Sequence, residues 1–149
     1  MAAHPRLHAR GSRDRLLTDA HTVRVLVYTP SEMRLAWVQA ELGADRTLAL
    51  QIAHAVPQIV AGLTEDPPPR PQILIADVDA LDPGALLHLH EVRERAWLGR
   101  IIALGTAPPA LRRSLAIEHV LGPPFVEGAL REILTTRGYV AATTRMPVL

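Results

Sequence analysis

The chain contains no cysteine, so disulfides and thiol chemistry are excluded and the cytosol is open to it. It contains no lysine either. All 16 of its basic residues are arginine, which removes every mechanism that depends on a lysine amine. With abundant alanine, leucine and proline, that bias points to a GC-rich bacterial coding sequence. No apolar run approaches the roughly 20 residues a membrane helix needs, so membrane insertion is not expected. The amino-terminal stretch MAAHPRLHARGSRDRLLTDAHT lacks an apolar signal core, and its two acids argue against an organelle presequence. Residues 1–21 read instead as a flexible arm. A strong charge is missing as well: net charge is +1 and the pI is 8.4, too mild to predict nucleic-acid binding. No dinucleotide-binding glycine fingerprint, phosphate-binding loop or serine-nucleophile elbow occurs.

What is present is a chain of 149 residues, 48% of them hydrophobic, enough for one core and too short for a second domain. Periodicity divides residues 22–136 into alternating strands and helices. TVRVLVY (22–28) is a β-branched run. TPSEMRLAWVQAELGA (29–44) reads as a helix, with Thr29 as N-cap, Pro30 in the first turn, Glu32 completing a capping box and Gly43 ending it. RTLALQIA (46–53) alternates like a strand with one wetter face, VPQIVAGL (56–63) is a second helix, and TEDPPPRP (64–71) cannot be helical. QILIADV (72–78) is a continuous apolar strand that runs into a carboxylate. Asp82 and Pro83 open a third helix reaching about Trp97. RIIALG (100–105) is a fourth strand, TAPPALRRSLAIE (106–118) a fourth helix, HVLG (119–122) a brief fifth strand and FVEGALREIL (125–134) the closing helix. Residues 137–149 form a polar extension.

Five such alternations predict an α/β three-layer sandwich on a five-stranded parallel sheet of order 2-1-3-4-5, with helices on both faces. The second strand is the edge-like one. In such a sheet a site forms at the carboxyl ends of the strands. That rule gathers Tyr28 and Thr29, Asp77, Gly105 and Thr106, and Gly122 to Pro124.

The element order, ILIAD ending the third strand, IIALGTA along the fourth and GPPF before the last helix together resemble the receiver domain of bacterial response regulators. The resemblance covers residues 22 to 136. It implies a flavodoxin-like fold and a two-component signalling reaction, phosphoryl transfer from a histidine kinase to an aspartate, that needs four parts. Asp77 matches the acceptor. The acidic pair that helps to hold magnesium after the first strand is replaced by Tyr28 and Thr29, with Glu32 the nearest acid. The lysine that clamps the phosphoryl group is replaced by Pro123. The hydroxyl residue after the fourth strand is matched by Thr106, or by Gly105 on a strict count. Magnesium requires oxygen ligands, and phosphoryl transfer consists mostly of electrostatic stabilisation by such cations. The resemblance therefore implies a pseudo-receiver, not an enzyme, with the fold kept, the switch chemistry lost and no cofactor. Magnesium enters only if Asp77 is phosphorylated after all.

Each residue singled out has a plainer reading. Asp77 would be a solvated carboxylate bonding loop amides, with Asp79 and Asp82 beside it. Those three acids lack the glycine and distal glutamate of a calcium loop. Thr29 is explained by capping. His88 and His90 point about 200° apart on a helix and cannot chelate one ion together. His54 and His119 are isolated. Arg112 and Arg113 read as a solvated helix face, and Pro123 and Pro124 as a stiff turn.

With about a dozen residues after the last helix, function is expected to be exercised through the surface. The first expectation is a stand-alone, cytoplasmic module acting by protein–protein contact in a bacterial signalling, motility or polarity pathway. Its partner would be another protein or a second copy in a homodimer. In receivers the usual partner face is made by the fourth helix, fifth strand and fifth helix. Here that face offers Leu111, Arg112, Arg113, Leu115, Val126, Leu130 and Ile133, with core packing as the alternative for the apolar positions. Two other readings stay open. One is a phosphorylatable single-domain response regulator, with Glu32 or Asp79 helping to hold magnesium. The other is a flavodoxin-like small-ligand binder whose crevice is lined by Tyr28 and the glycine and threonine of GTAPP, Gly105 and Thr106.

Overall fold

A computed structural model describes residues 22–66, 69–95 and 97–137, with side chains to residue 134. The expected arm at 1–21 and the extension beyond Arg137 lie outside the described residues. Branched and apolar runs form β1 (Val23–Tyr28), β2 (Leu48–Ala53), β3 (Ile73–Asp77), β4 (Arg100–Leu104) and β5 (Ile117–Leu121). All pair in parallel, in the expected order β2-β1-β3-β4-β5. The helices are α1 (Glu32–Leu42), α2 (Val56–Leu63), α3 (Pro83–Arg95), α4 (Pro109–Leu115) and α5 (Ala129–Arg137), and a 3-10 turn at Val78–Ala80 follows β3. Among the described residues no helix is long and apolar enough to cross a membrane.

The two-residue period of the strands makes two cores, one on each face of the sheet. Val25, Val27, Ile73, Ile75, Ile102 and Leu104 pack with Val38 and Leu42 of α1 and Leu130 and Leu134 of α5. Leu26, Tyr28, Leu74, Ala76, Ile101 and Ala103 pack with Ile59 and Leu63 of α2, Leu89 and Val92 of α3 and Leu115 of α4. Each fully buried Val, Leu or Ile side chain stabilises the fold by about 1.5–3 kcal/mol. The central strands are buried on both sides, which explains why β3 carries no polar residue before Asp77, whereas edge strand β2 exposes Ala49 and Gln51. Two expected contact residues are spent here: Leu115 (1% exposed) and Leu130 (0%) belong to the core and offer nothing to a partner.

Three boundaries differ from expectation, each for a tertiary reason. The helix expected from Thr29 begins at Glu32, and its N-cap is Ser31, whose hydroxyl accepts the Arg34 N–H at 3.2 Å. Thr29 is not a cap, because its hydroxyl is engaged elsewhere. The fourth helix, expected over 106–118, spans only 109–115. Ala116 turns left-handed (φ 52°, ψ 48°), and Ile117 pairs with Ile101 across the sheet, so β5 starts earlier than HVLG. The last helix, expected from Phe125, starts at Ala129 because its opening amides are held from outside. The Glu41 carboxylate of α1, 5% exposed, accepts N–H bonds from Gly128 (2.8 Å), Leu130 (3.0 Å) and Arg131 (3.3 Å), and pairs with the Arg131 guanidinium at 3.1 Å. Burial raises the Glu41 pKa, but those donors outweigh it and leave the carboxyl below its ordinary range. Asp82, by contrast, caps α3 as expected, its Oδ1 accepting the Ala85 N–H at 2.7 Å.

The far end of α3 is tied down by a single cation. The Arg93 guanidinium donates to the carbonyls of Leu115 (3.0 Å), Ala116 (3.1 Å) and Gly99, and lies 5.0 Å from the Trp97 ring centre. It thereby satisfies carbonyls at the end of α4 that its own helix cannot. Trp97 is itself buried and donates its indole N–H to the Pro71 carbonyl at 2.6 Å.

Candidate functional site

The sheet delivers Asp77 to the carboxyl edge at the end of β3, one residue past Ala76, which pairs with Tyr28. The carboxylate is 3% exposed and both oxygens have partners. Oδ2 accepts the Thr29 hydroxyl at 2.7 Å, across 48 residues of sequence. Oδ1 accepts an Nη1 donor of Arg34 at 2.8 Å. Thr29 accepts in turn from the Ser31 N–H at 3.1 Å, so its hydroxyl is oriented with its hydrogen toward Asp77. Arg34 projects from the first turn of α1 and lies 5.1 Å from the centre of the Phe125 ring, which packs against Trp37 at 5.1 Å. A buried carboxylate is tolerated only when paired and hydrogen-bonded, and here it is both. The solvated Asp77 of the plainer reading is therefore overturned, as is the reading of Thr29 as a cap.

Asp79, in the 3-10 turn, faces the same guanidinium at 3.4 Å through Oδ2 and accepts the Thr106 N–H at 2.9 Å through Oδ1. Its carboxylate lies flat against Gly105, whose φ of +109° and lack of a Cβ leave the room; a built Cβ would overlap the carboxylate. Gly105 donates its own N–H to Leu121 at 2.9 Å. Thr106 thus enters the site through its backbone, with an exposed side chain. The three acids of the third strand's end have different roles: Asp77 binds Thr29 and Arg34, Asp79 holds Thr106 and touches the same Arg34 guanidinium, and Asp82 caps α3. They do not converge on one point.

This geometry answers whether a divalent cation fits. At the end of β1 the ring of Tyr28 is 7% exposed and packed in the core, and the Thr29 hydroxyl spends its hydrogen on Asp77. A cation already stands on the Asp77 carboxylate, and a second charge of the same sign would be repelled by several kcal/mol in such surroundings. The residues present do not fit magnesium. Among the described residues there is no group of three or more His, Asp or Glu side chains placed to hold a metal.

The remaining expected residues lie apart. Pro123 follows β5, forms a cis peptide bond with Pro124 and lines a groove of about 420 Å³ with Ser31, Met33, Arg34, Trp37 and Phe125. Tyr28, Gly105 and Thr106 do not line it, so the crevice sits between α1 and the β5–α5 loop. The Trp37 indole N–H is buried and without an acceptor. On the expected partner face, Arg112 and Arg113 are exposed, Val126 is 60% exposed, and Leu111 and Ile133 are half-buried against the cores. His90 contacts Ser114, apart from His88. Arg34 is the site residue that sequence reasoning missed. It reads as an ordinary charge on a helix, and its partner is 43 positions away. Its place in the first turn after β1, above the carboxyl edge, was the signal available.

A single parallel sheet of this order, with an aspartate at the end of β3, defines the receiver fold. No protein-family profile and no curated protein matches the sequence. Solved structures do. A response regulator from Thermotoga maritima superposes with a TM-score of 0.63 at 16% identity, over 79% of this chain and 98% of that one. The chemotaxis protein CheY4 of Vibrio cholerae gives 0.62 at 18%, over 77% and 98%. The signal receiver domain of an HD domain-containing protein from Pseudomonas fluorescens Pf-5 gives 0.65 at 16%, over 85% and 93%. The chain is similar to these in fold, and at such identities the likeness speaks for the fold alone.

Proposed function

We propose that the chain is a pseudo-receiver of a bacterial signalling pathway, which presents a fixed surface to a protein partner and does not pass a phosphoryl group through Asp77. One observation carries this reading: both oxygens of the Asp77 carboxylate are committed, Oδ1 to the Arg34 guanidinium and Oδ2 to the Thr29 hydroxyl. Transfer to Asp77 requires a free carboxylate oxygen and a cation that gathers the incoming phosphoryl oxygens. Arg34 takes the first and is too firmly paired to supply the second. The fold similarity to receivers supports a signalling role, and the basic pair Arg112 and Arg113 with exposed Val126 supports α4, β5 and α5 as the face that meets the partner.

The test is an amide NMR titration of the purified protein, first with magnesium and then with beryllofluoride, repeated on Asp77→Ala. Flat responses near Asp77, Thr106 and Phe125 are expected in both proteins. Saturable shifts in the native protein that vanish in Asp77→Ala would establish a phosphorylation switch and end this reading. The groove at Trp37 favours one further reading, a small apolar ligand packed against the Trp37 and Phe125 rings. A ligand of that kind would change the Trp37 emission.

A further inference from the structure

The Asp79 carboxylate does something that neither the fold nor Asp77 requires. It reaches from the turn after β3 to the loop between β4 and α4 and takes the Thr106 N–H, while Gly105 gives up its side chain to let it in. On its other side stands the Arg34 guanidinium, which also holds Asp77. An N–H, a bare glycine backbone and a guanidinium around one pair of oxygens make an oxyanion niche. The occupant is supplied by the chain itself.

We propose that Asp79 is a built-in anion that sets the β4–α4 loop, and through it the α4 face, in one position without any anion delivered from outside. The inference rests on the pseudo-receiver reading, whose fixed surface it explains. The mechanical path is short. Thr106 is three residues from the start of α4, and residues 107–108 have no helix of their own to hold them. Gly105 is in turn bonded to Leu121 at the end of β5, so the niche joins both elements that flank the exposed Arg112 and Arg113. A negative charge is the right occupant because the Thr106 N–H and the Arg34 guanidinium both donate toward it.

The experiment compares amide spectra and hydrogen exchange of the full chain with those of Asp79→Ala and Gly105→Ala. The first removes the anion, and the second leaves it but fills its place with a methyl group. Both should speed exchange of the Thr106 amide, on the order of tenfold or more, as expected for loss of a bond to a charged acceptor. Both should also shift residues 107–115 in a common direction. A Thr106 amide and an α4 that stay at their native positions in Asp79→Ala would overturn the proposal. So would shifts confined to Thr106 that leave α4 unmoved. Because the beryllofluoride titration is read on the native protein, its outcome separates failure of the pseudo-receiver reading from failure of this one.

Discussion

Replacing Glu41 tests whether one buried carboxylate on α1 holds the start of α5. Glu41→Ala removes the acceptor of three main-chain N–H groups and the partner of the Arg131 guanidinium. A bond to a charged group contributes about 1.5–3 kcal/mol net, and a helix N-cap about 1 kcal/mol. The Leu130 N–H is buried and loses its partner outright, whereas those of Gly128 and Arg131 are partly accessible and recover water. The loss is therefore about 3 kcal/mol, a large share of the roughly 5–15 kcal/mol that holds a domain together. Glu41→Gln keeps an acceptor oxygen but not the charge, and should lose about half as much. Urea unfolding followed by tryptophan emission measures both. The pH dependence adds a second readout. The folded Glu41 carboxyl titrates below its ordinary value of 4.5, so the stability it contributes is present above that pH and is lost as pH falls through the folded value. The gap between native protein and Glu41→Ala should be constant near neutrality and shrink below about pH 4.5. A gap under about 1 kcal/mol at neutral pH, or one unchanged on acidification, would refute the capping argument.

Other substitutions follow from the same geometry. Arg93→Ala frees the carbonyls of Gly99, Leu115 and Ala116 at once and should cost about 2–4 kcal/mol in urea unfolding, with Arg93→Lys recovering less than half because an ammonium cannot span them. Gly99→Ala puts a methyl group into the Trp97 ring and the Gln72 carbonyl, and should cost at least about 2 kcal/mol and shift the tryptophan emission. Thr29→Val leaves one Asp77 oxygen without its donor and should cost about 1–2 kcal/mol, whereas Thr29→Ser should lie within about 0.5 kcal/mol of the native protein.

Much of the fold was legible because its signals are local. Strand period, the Asp82–Pro83 helix start and the proline-rich breaker at 64–71 lie within a few residues of what they predict, and the order of elements followed from them. The misplaced boundaries are those where a distant partner decides. Thr29 and Ser31 are equally good caps in isolation, and only the Asp77 carboxylate chooses between them. LRRSLAIE has enough helix propensity to continue, but Ile117 is worth more paired beside Ile101 than in another half-turn. Glu41 and Arg34 were illegible for a related reason. A charge on a helix is normally solvated, and nothing within one turn of either residue says that it is paired with a group 87 or 43 positions away. Asp77 itself was read as a carboxylate without a cation, whereas the structure pairs it with Arg34.

The pairing of Arg34 with Asp77 has a consequence for how the site relates to its surroundings. A dissolved cation fills a site to a degree set by its concentration, so such a site follows the supply of the ion and the chelators that compete for it. A cation tethered to the chain is present at an effective concentration fixed by the fold and not by the surrounding solution. Its occupancy cannot be diluted, titrated or withdrawn. On the proposed reading this end of the molecule has no set-point: the Asp77 charge is paired the moment the chain folds, and its state carries information about the fold alone.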